Sequence, residues 1–364
     1  MGTLSLRGRS FTCGVAVTVL VAVMLLAVVW APAARASGSS GSSRAWPIGV
    51  ICSCTGPEAS STSVSTPTLM AWAKYVDSKG GINGHKISLF ADDDATNPGT
   101  ALTDAEKLVS QDHVLAIFDN SDVDSAFATY VAQKHVPVVG SYADSDEMYT
   151  NADFFPNGAT INWEPTDGVY VAKKVHAKKL ADLYCAEVAI CKQATDAGEA
   201  TDAKAGLKVV YSAAISFAAP NYTAECLAAK SAGAQAMTVG DASAIVVKVA
   251  QDCQQQGYKP VQLSADGTVA ESWRTTSALN GNIDVQPDIP FFVRSTAATK
   301  AMYSAIDKFE PSLARSQDFG EVVVEAWTSG LLFQAAAQAA HLGNGAKPSQ
   351  VIHGLYDLHA ATLG

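Results

Sequence analysis

Short apolar runs alternate with segments of helical periodicity along the chain after residue 45. In the first half, strands are predicted at residues 47–51, 86–90, 114–118 and 136–139. Between them apolar residues recur every three or four positions, as in Leu69, Trp72 and Val76, which is the spacing of one helix face. Regular alternation of strand and helix favours a parallel sheet covered by helices on both faces.

The same alternation starts again beyond a turn-rich stretch at residues 142–165. Further strands are predicted at 181–185, 207–211, 235–239 and 260–263, and further helices at 167–179 and 221–232, with a third that Asp241 caps and that runs to about 256. Long helices follow at 297–309 and 318–340, and residues 356–362 have a strand pattern. Two separate strand–helix sets predict an α/β fold with two doubly wound, parallel-sheet lobes.

The first 45 residues have a different composition from the rest. Residues 1–36 carry arginines but no acid, contain the uncharged apolar run 13–31, and end in Ala-Arg-Ala. This pattern predicts a secretory signal peptide. The alternative is an uncleaved anchor, because such a run, at about 1.5 Å per residue, nearly crosses a bilayer. Residues 37–45 form a flexible Ser/Gly tether. We therefore expect an extracellular or cell-envelope location.

Composition narrows the class of protein further. The chain has 364 residues, of which 48% are hydrophobic, and a formal net charge of −10. Its length and apolar content suit two globular lobes. The acidic balance argues against a nucleic-acid partner and against binding to anionic lipid surfaces.

Six cysteines follow the predicted signal, and an oxidising compartment favours disulfides. The short loop from Cys185 to Cys191 is the first choice for a bridge, and Cys226 with Cys253 is the second. Cys52 and Cys54 are two positions apart at a strand end, so they either pair with strain or stay reduced. The histidines provide no companions at zinc-ligand spacing.

Signatures of enzymes are missing from the chain. It contains no Gly-x-Ser-x-Gly nucleophile elbow and no phosphate-cradling Gly-x-x-x-x-Gly-Lys-Ser/Thr loop. The run 92–94 is Asp-Asp-Asp at a strand end, which favours helix capping and solvated charge over a metal site. We therefore expect no enzymatic activity, no cofactor and no bound metal.

Short polar residues follow the predicted strands, where a ligand would meet the carboxyl edges of two facing sheets. Helix N-termini at such an edge also offer free N–H groups. The candidates for binding are Asn120, Ser121, Tyr142, Ala143, Asp144, Ser145, Asp241 and Asp266. Each of them has the alternative role of a simple helix cap, because strand-to-helix turns favour these residue types.

Four motifs in order resemble one family. Residues 79–87 read KGGINGHKI, 48–57 contain Ile-Gly-Val and Thr-Gly-Pro, 92–98 contain Asp-Asp and Asn-Pro, and 136–139 read VPVV. This series is similar to the type I solute-binding proteins of ABC transporters, the leucine/isoleucine/valine-binding group. The resemblance runs from about Trp46 to the end of the chain.

The resemblance implies a hinged pair of lobes, 46–163 plus 289–343 and 164–288 plus 344–364, which close on a small solute and dock on a membrane permease. It also implies a monomer that normally continues beyond residue 364. In amino-acid-binding members, Ser121 and Ala143 would match the groups that hold the carboxylate, and Glu164 and Asp266 the groups that hold the ammonium. Asp144 stands where a threonine is expected, and the Cys185 to Cys191 loop replaces an expected tyrosine.

If Asp144, Glu164, Asp241 and Asp266 face the cleft, an amine-containing solute suits them better than a plain carboxylic acid, since buried carboxylates need a partner. We therefore expect an importer subunit for an amino-acid-like or amine-containing solute. The alternatives are an extracellular sensor domain without a transport role and, less favoured, an exported α/β enzyme.

Overall fold

The computed structural model describes residues 44–141, 145, 147–157, 164–263, 267–286, 288–359 and 363. The predicted signal peptide lies outside these residues. Among the helices that are described, none combines the length and apolar character needed to cross a membrane.

The first sheet is parallel and has five strands in the order β2-β1-β3-β4-β5. The strands are β1 (Trp46–Cys52), β2 (Ile87–Asp93), β3 (Ile117–Asn120), β4 (Val138–Ser141) and β5 (Phe154–Phe155). Its connecting helices are α1 (Ala59–Thr62), α2 (Ser65–Ser78), α3 (Pro98–Ser110), α4 (Ser125–Lys134) and α5 (Glu147–Thr150). Most of β1 is buried, as expected for a strand covered on both faces.

The second sheet is also parallel and has four strands in the order β7-β6-β8-β9. The strands are β6 (Lys179–Cys185), β7 (Lys208–Ile215), β8 (Ala236–Gly240) and β9 (Val261–Leu263). Its helices are α6 (Glu164–Lys174), α7 (Ala189–Ala205), α8 (Thr223–Ala232), α9 (Ser243–Gln255) and α10 (Glu271–Thr275). The two sheets confirm the predicted α/β class with two doubly wound lobes.

Three later helices belong to the first lobe: α11 (Ala297–Phe309), α12 (Glu321–Ala339) and α13 (Pro348–Tyr356). Of these, α12 packs on strands β3 and β4. Helices α11 and α12 lie against α2, and α13 lies against α12. The placement of residues 344–364 in the second lobe is therefore wrong for α13, because its buried Val351 and Leu355 join the core shared with α12. Tyr356 ends this helix and does not open the predicted strand.

Close packing of α12 on α2 depends on Gly330. A Cβ atom at this position would lie 2.5 Å from ring atoms of Trp72, well inside van der Waals contact. The Trp72 ring is fully buried and meets Phe118 of β3 edge-on. A glycine on α12 thus lets a large aromatic side chain fill the space between helix and sheet.

The run 79–87 forms the turn between α2 and β2. Gly81 has φ +81°, and an added Cβ would lie 2.1 Å from the His85 carbonyl oxygen, so only glycine fits. Asn83 donates from Nδ2 to the carbonyls of Ala337 and Leu342, which ties this turn to the end of α12. The glycines of this run therefore end α2 and turn the chain into β2.

All six described cysteines are paired. Cys185 is bonded to Cys191 and Cys226 to Cys253, as predicted. Cys52 is bonded to Cys54, so of the two alternatives for this pair the bridge is the one that forms and the reduced state is wrong. Their Cα atoms are 5.0 Å apart, which is within the usual range for a disulfide. The end of β1 therefore bends enough to bring the two sulfur atoms together.

Candidate functional site

The carboxyl ends of strands from the two sheets meet where α1 of the first lobe packs on α9 of the second. The backbone N–H of Ser243 donates to Ser61 Oγ at 3.1 Å, and that of Ala244 donates to Ser60 Oγ at 3.0 Å. Helix α9 begins after Ala242, which has no side chain for capping. Serines of the first lobe therefore cap a helix of the second lobe, and the cleft between the lobes is closed on this side.

Glu58, in the loop after β1, reaches the second lobe. Its carboxylate lies within 4.8 Å of the Sγ atoms of Cys185 and Cys191. Glu58 is 5% exposed, and its Oε1 has no hydrogen-bond partner among the described residues. Burial raises its pKa well above the usual range, and the charges of Asp122, Asp241 and Glu187 raise it further. Acidic groups of both lobes thus surround Glu58.

Asp94, directly after β2, is fully buried and connects the segments that follow β1, β2 and β3 through hydrogen bonds. Ser53 Oγ donates to its Oδ1 at 2.8 Å, Ser121 Oγ donates to its Oδ2, and the Thr96 N–H donates to Oδ1 at 2.7 Å. Burial still raises the pKa of Asp94 in spite of these hydrogen bonds. The interpretation of residues 92–94 as capping and solvated charge is therefore wrong for Asp94.

At the end of β3, Asp119 and Asn120 are buried, and both have side-chain polar atoms without a described hydrogen-bond partner. Asp119 Oδ1 accepts from the Ser121 N–H at 3.0 Å, but its Oδ2 has no partner. Both polar atoms of the Asn120 side chain lack a partner in the described structure, although the residue is 1% exposed. Burial and the charge of Asp124 raise the pKa of Asp119 well above its usual range. Such groups need a ligand or water to offset their desolvation.

Asp122 and Asp124 follow in the same loop. Burial and the charge of Asp94 raise the pKa of Asp122 to about 7, and its Oδ2 has no partner. Asp124 Oδ2 accepts from the Ser145 hydroxyl, yet burial and the charge of Glu147 raise its pKa to about 7 as well. No ion pair of the described residues involves either carboxyl group.

Asp241 follows β8 and supplies the second lobe's buried acid. Its Oδ1 accepts from the Ala242 N–H at 2.8 Å, and its Oδ2 has no described partner. Burial and the charge of the exposed Glu187 raise the pKa of Asp241 to about 7. The sequence-based prediction that Asp241 caps α9 is therefore wrong. The hydroxyl groups of Ser60 and Ser61 accept from the first N–H groups of that helix instead.

The sequence-derived candidates divide into two groups. Asn120, Ser121, Ser145 and Asp241 lie at the facing strand ends, where they were expected. Tyr142, Ala143, Asp144 and Asp266 lie outside the described residues, and of Glu164 only the backbone, at the start of α6, is described. The predicted role of Ser121 in holding a carboxylate conflicts with its hydrogen bond to Asp94, since its hydroxyl proton is already committed to that group.

Sequence reasoning missed Glu58, Asp94, Asp119, Asp122 and Asp124. These residues lie at or just after the carboxyl ends of β1, β2 and β3. The signal in the sequence was their position after the strands. Glu58 follows the Gly-Pro loop, and Asp122 and Asp124 lie in the loop between β3 and the helix that begins at Ser125.

Glu58, Cys185 and Cys191 are the one trio of potential metal ligands that the described residues bring together. Both cysteines are bonded to each other, so neither sulfur offers a thiolate. A separate groove of about 640 Å³ lies between β5 and α13 and is lined by residues such as Tyr149, Phe155 and Tyr356. None of the described residues that line it is charged, which makes this groove a poor match for a charged solute.

Comparison with known proteins agrees with this architecture. The chain matches the family described as "Periplasmic binding protein" over residues 45–364. It is 25% identical over 210 residues to an amino acid binding protein from Pseudomonas aeruginosa, an alignment that spans 56% of each chain. The chain thus aligns with little more than half the length of that relative.

Solved structures share the fold at low identity. A fatty acid ABC transporter substrate-binding protein from Thermomonospora curvata has a TM-score of 0.75 at 17% identity, covering 86% of this chain and 80% of its own. A leucine-binding protein from Thermotoga maritima has a TM-score of 0.71 at 14% identity, covering 85% and 87%. A solute-binding protein of an ABC transporter from R. palustris, in complex with 4-hydroxybenzoate, has a TM-score of 0.71 at 18% identity, covering 85% and 84%.

Two hinge-fold lobes with facing carboxyl edges define a type I periplasmic binding protein. The chain belongs to the periplasmic binding protein family, whose model matches all of it beyond residue 44. The relatives named above are described as binding proteins.

Proposed function

We propose that this protein is the exported solute-binding subunit of an ABC importer and captures a small amine-containing solute in the cleft between its lobes. The observation that carries the proposal is the set of buried carboxyl groups at the facing strand ends, of which Glu58, Asp122 and Asp241 each have an oxygen without a described partner. An ammonium group supplies both the charge and the N–H donors that such oxygens need.

Closure of the lobes would complete the site. Glu58 and Asp122 belong to the first lobe and Asp241 to the second, so a solute contacts all three only when the cleft is shut. Binding would then shift an open–closed equilibrium toward the closed form, and the permease would recognise that form. The proposed lobes are 46–163 plus 289–359 and 164–288, with the hinge at the crossing segments.

The first test is to identify the solute and measure closure. Mass spectrometry of the purified full chain should find an amine-containing small molecule carried through purification. Adding that molecule to stripped protein should decrease the radius of gyration in X-ray scattering. At about 100 times the dissociation constant it should add about 2.7 kcal/mol to the free energy of unfolding.

The transport role needs a separate measurement in cells. Deleting the gene should abolish uptake of the labelled solute, and restoring it should recover uptake. Normal uptake in the deletion strain, with loss of a transcriptional response to the solute, would favour the sensor alternative. An unchanged scattering curve at saturating solute would contradict the closure mechanism.

A further inference from the structure

Acidic groups reach the cleft from both lobes, and no cation of the described residues balances them. Glu58, Asp119 and Asp122 come from the first lobe, and Asp241 comes from the second; each is at least nine-tenths buried with one oxygen unpartnered. None of them takes part in a described ion pair. Removing a lone carboxylate from water costs several kcal/mol, so the site is built for a partner that carries positive charge.

Asn120 provides an independent indication that a ligand is missing. Its side-chain amide is 1% exposed, and neither Oδ1 nor Nδ2 has a described partner. A buried amide in this state costs free energy that a hydrogen-bonding ligand would recover. Asn120 ends β3 two residues before Asp122, and its unpartnered side-chain Oδ1 is an acceptor that an ammonium group bound by these acids could use.

Backbone N–H groups at these strand ends that could hold a solute carboxylate are already engaged within the protein. Asp119, Ser53 and Ser121 accept from three successive N–H groups after β3, and Ser61 and Ser60 accept from the first two of α9. The Ser121 hydroxyl itself donates to Asp94. A zwitterionic amino acid would bring its carboxylate among unpaired acids, and these engaged N–H groups could not receive it; the unpartnered Asn120 Nδ2 is a single donor against several acids.

A single metal ion does not match the spacing of these acids. A metal needs several oxygen ligands about 2 to 2.6 Å from one centre. The only trio of potential ligands that lie within 4.8 Å of one another in the described part of the chain includes two disulfide-bonded sulfur atoms. The carboxyl groups are instead spread from the first lobe to the second, which suits positive charges separated along an organic chain.

We propose that the solute is an organic dication, a diamine or a longer polyamine, with one ammonium group on Asp122, Asp119 and Asn120 and the other on Asp241. Glu58, a first-lobe acid whose carboxylate reaches the second-lobe Cys185–Cys191 bridge, is near enough to both Asp122 and Asp241 for their charges to raise its pKa. This inference rests on the proposed solute-binding function and narrows its ligand class.

Binding of a dication also requires these carboxyl groups to ionise. Burial raises the pKa of Asp122 and of Asp241 to about 7, so each is partly protonated near neutral pH in the empty protein. The groups that face Asp122 are Asp94, Asp119, Asp124 and Glu58, all acidic. Those that face Asp241 are Glu187, Glu58 and Tyr222, with Lys248 over the Tyr222 ring. Capture of the dication therefore releases protons.

Calorimetric titration of the stripped full chain tests the proposal with 1,4-diaminobutane, spermidine, 1-aminobutane, leucine and CaCl₂. We expect one of the two polyamines to bind at least about tenfold tighter than 1-aminobutane. Repeating the titration in two buffers of different ionisation enthalpy should reveal proton release. Asp241→Asn should bring the ratio of diamine to monoamine affinity toward one.

Asp182→Asn is the matched control. Asp182 is a buried second-lobe carboxyl group whose pKa burial and the charge of Asp202 raise to about 7, but it lies within β6 and faces Asp202. This variant should keep the full preference for the dication. Loss of that preference in both variants would indicate a general effect on folding and overturn the assignment to Asp241.

The remaining outcomes separate this inference from the proposed function. Leucine binding without polyamine binding, equal affinity for diamine and monoamine, or a preference for Ca²⁺ would each overturn the dication and leave solute capture standing. If no tested compound binds, and the purified protein also carries no small molecule, the proposed function itself fails.

Discussion

Neighbouring aspartates in this chain have opposite environments. Asp92 accepts from Lys107 Nζ at 2.7 Å at the edge of the sheet, whereas Asp94, two residues later, is fully buried beneath Ser53 and Ser121. The sequence presents both as members of one acidic run. Only the fold decides which carboxylate is paired with a lysine at the sheet edge and which is buried among serine hydroxyls, because burial depends on the elements that pack above it.

Asp122→Asn should stabilise the ligand-free protein at neutral pH. The folded pKa of Asp122 is about 7, above an unfolded value of about 4, so the native state binds more protons between these values. Stability of the wild type should therefore fall as pH rises from about 4 to about 7. The variant has no titrating group at position 122, so at pH 7.5 its free energy of unfolding should exceed that of the wild type by on the order of 2 kcal/mol. Urea unfolding at several pH values measures this.

Asp196→Asn is the control for that experiment. Asp196 is an exposed partner of Lys192 within one helix, so its removal should change stability little at any pH. If the free energy of unfolding of Asp122→Asn shows the same pH dependence as that of the wild type, ionisation of Asp122 does not destabilise the protein at neutral pH. That result would contradict a destabilising cluster of buried acids in the cleft.

At the scale of elements, α9 is completed by the opposite lobe. Its N-cap is Ala242, and its first N–H groups are held by Ser60 and Ser61 of the first lobe. Separating the lobes would expose these N–H groups to water and break both hydrogen bonds. The contact thus contributes to closure and not to the folding of either lobe alone.

The double variant Ser60→Ala/Ser61→Ala should weaken solute binding by roughly five- to tenfold, because loss of a helix cap costs about 1 kcal/mol and here the cost falls on the closed state. Isothermal titration with the identified solute measures the change. Thr296→Ala is the matched control, since Thr296 caps α11 within the first lobe. It should lower stability by about 1 kcal/mol and leave affinity unchanged. Equal losses of affinity in both variants would contradict a role in closure.

At the scale of the whole molecule, the net charge of the chain and the local charge of the cleft are both negative. The chain has a formal net charge of −10, and the acids of the cleft lie in a site of low dielectric constant. Like charges repel one another in the empty protein, whereas a cation approaching the cleft is attracted from a distance. The two effects should respond in opposite ways to added salt.

Raising NaCl from about 20 mM to about 500 mM should stabilise the ligand-free protein by about 1 kcal/mol, since screening weakens the repulsion. The same change should slow association of 1,4-diaminobutane on the order of tenfold, since screening also weakens steering. Thermal unfolding and stopped-flow mixing measure the two effects. Asp122→Asn/Asp241→Asn should reduce both, and salt effects that are identical in this variant and in the wild type would show that the cleft is not their origin.

The sequence by itself determined the two parallel sheets, the turn at residues 79–87 and the pairs Cys185–Cys191 and Cys226–Cys253. These features follow from local periodicity, from glycine-dependent turns and from short or compatible cysteine spacing. It also placed Asn120, Ser121 and Asp241 at strand ends, because the carboxyl edge of a parallel sheet is defined by chain direction alone.

Only the tertiary structure decided which acids are buried, that Cys52 pairs with Cys54, that α13 packs on the first lobe and that the first lobe caps α9. Each of these depends on contacts between residues far apart in the chain. Burial, and with it the charge state of Glu58 or Asp122, is a property of the elements that surround a side chain, and no local pattern encodes it.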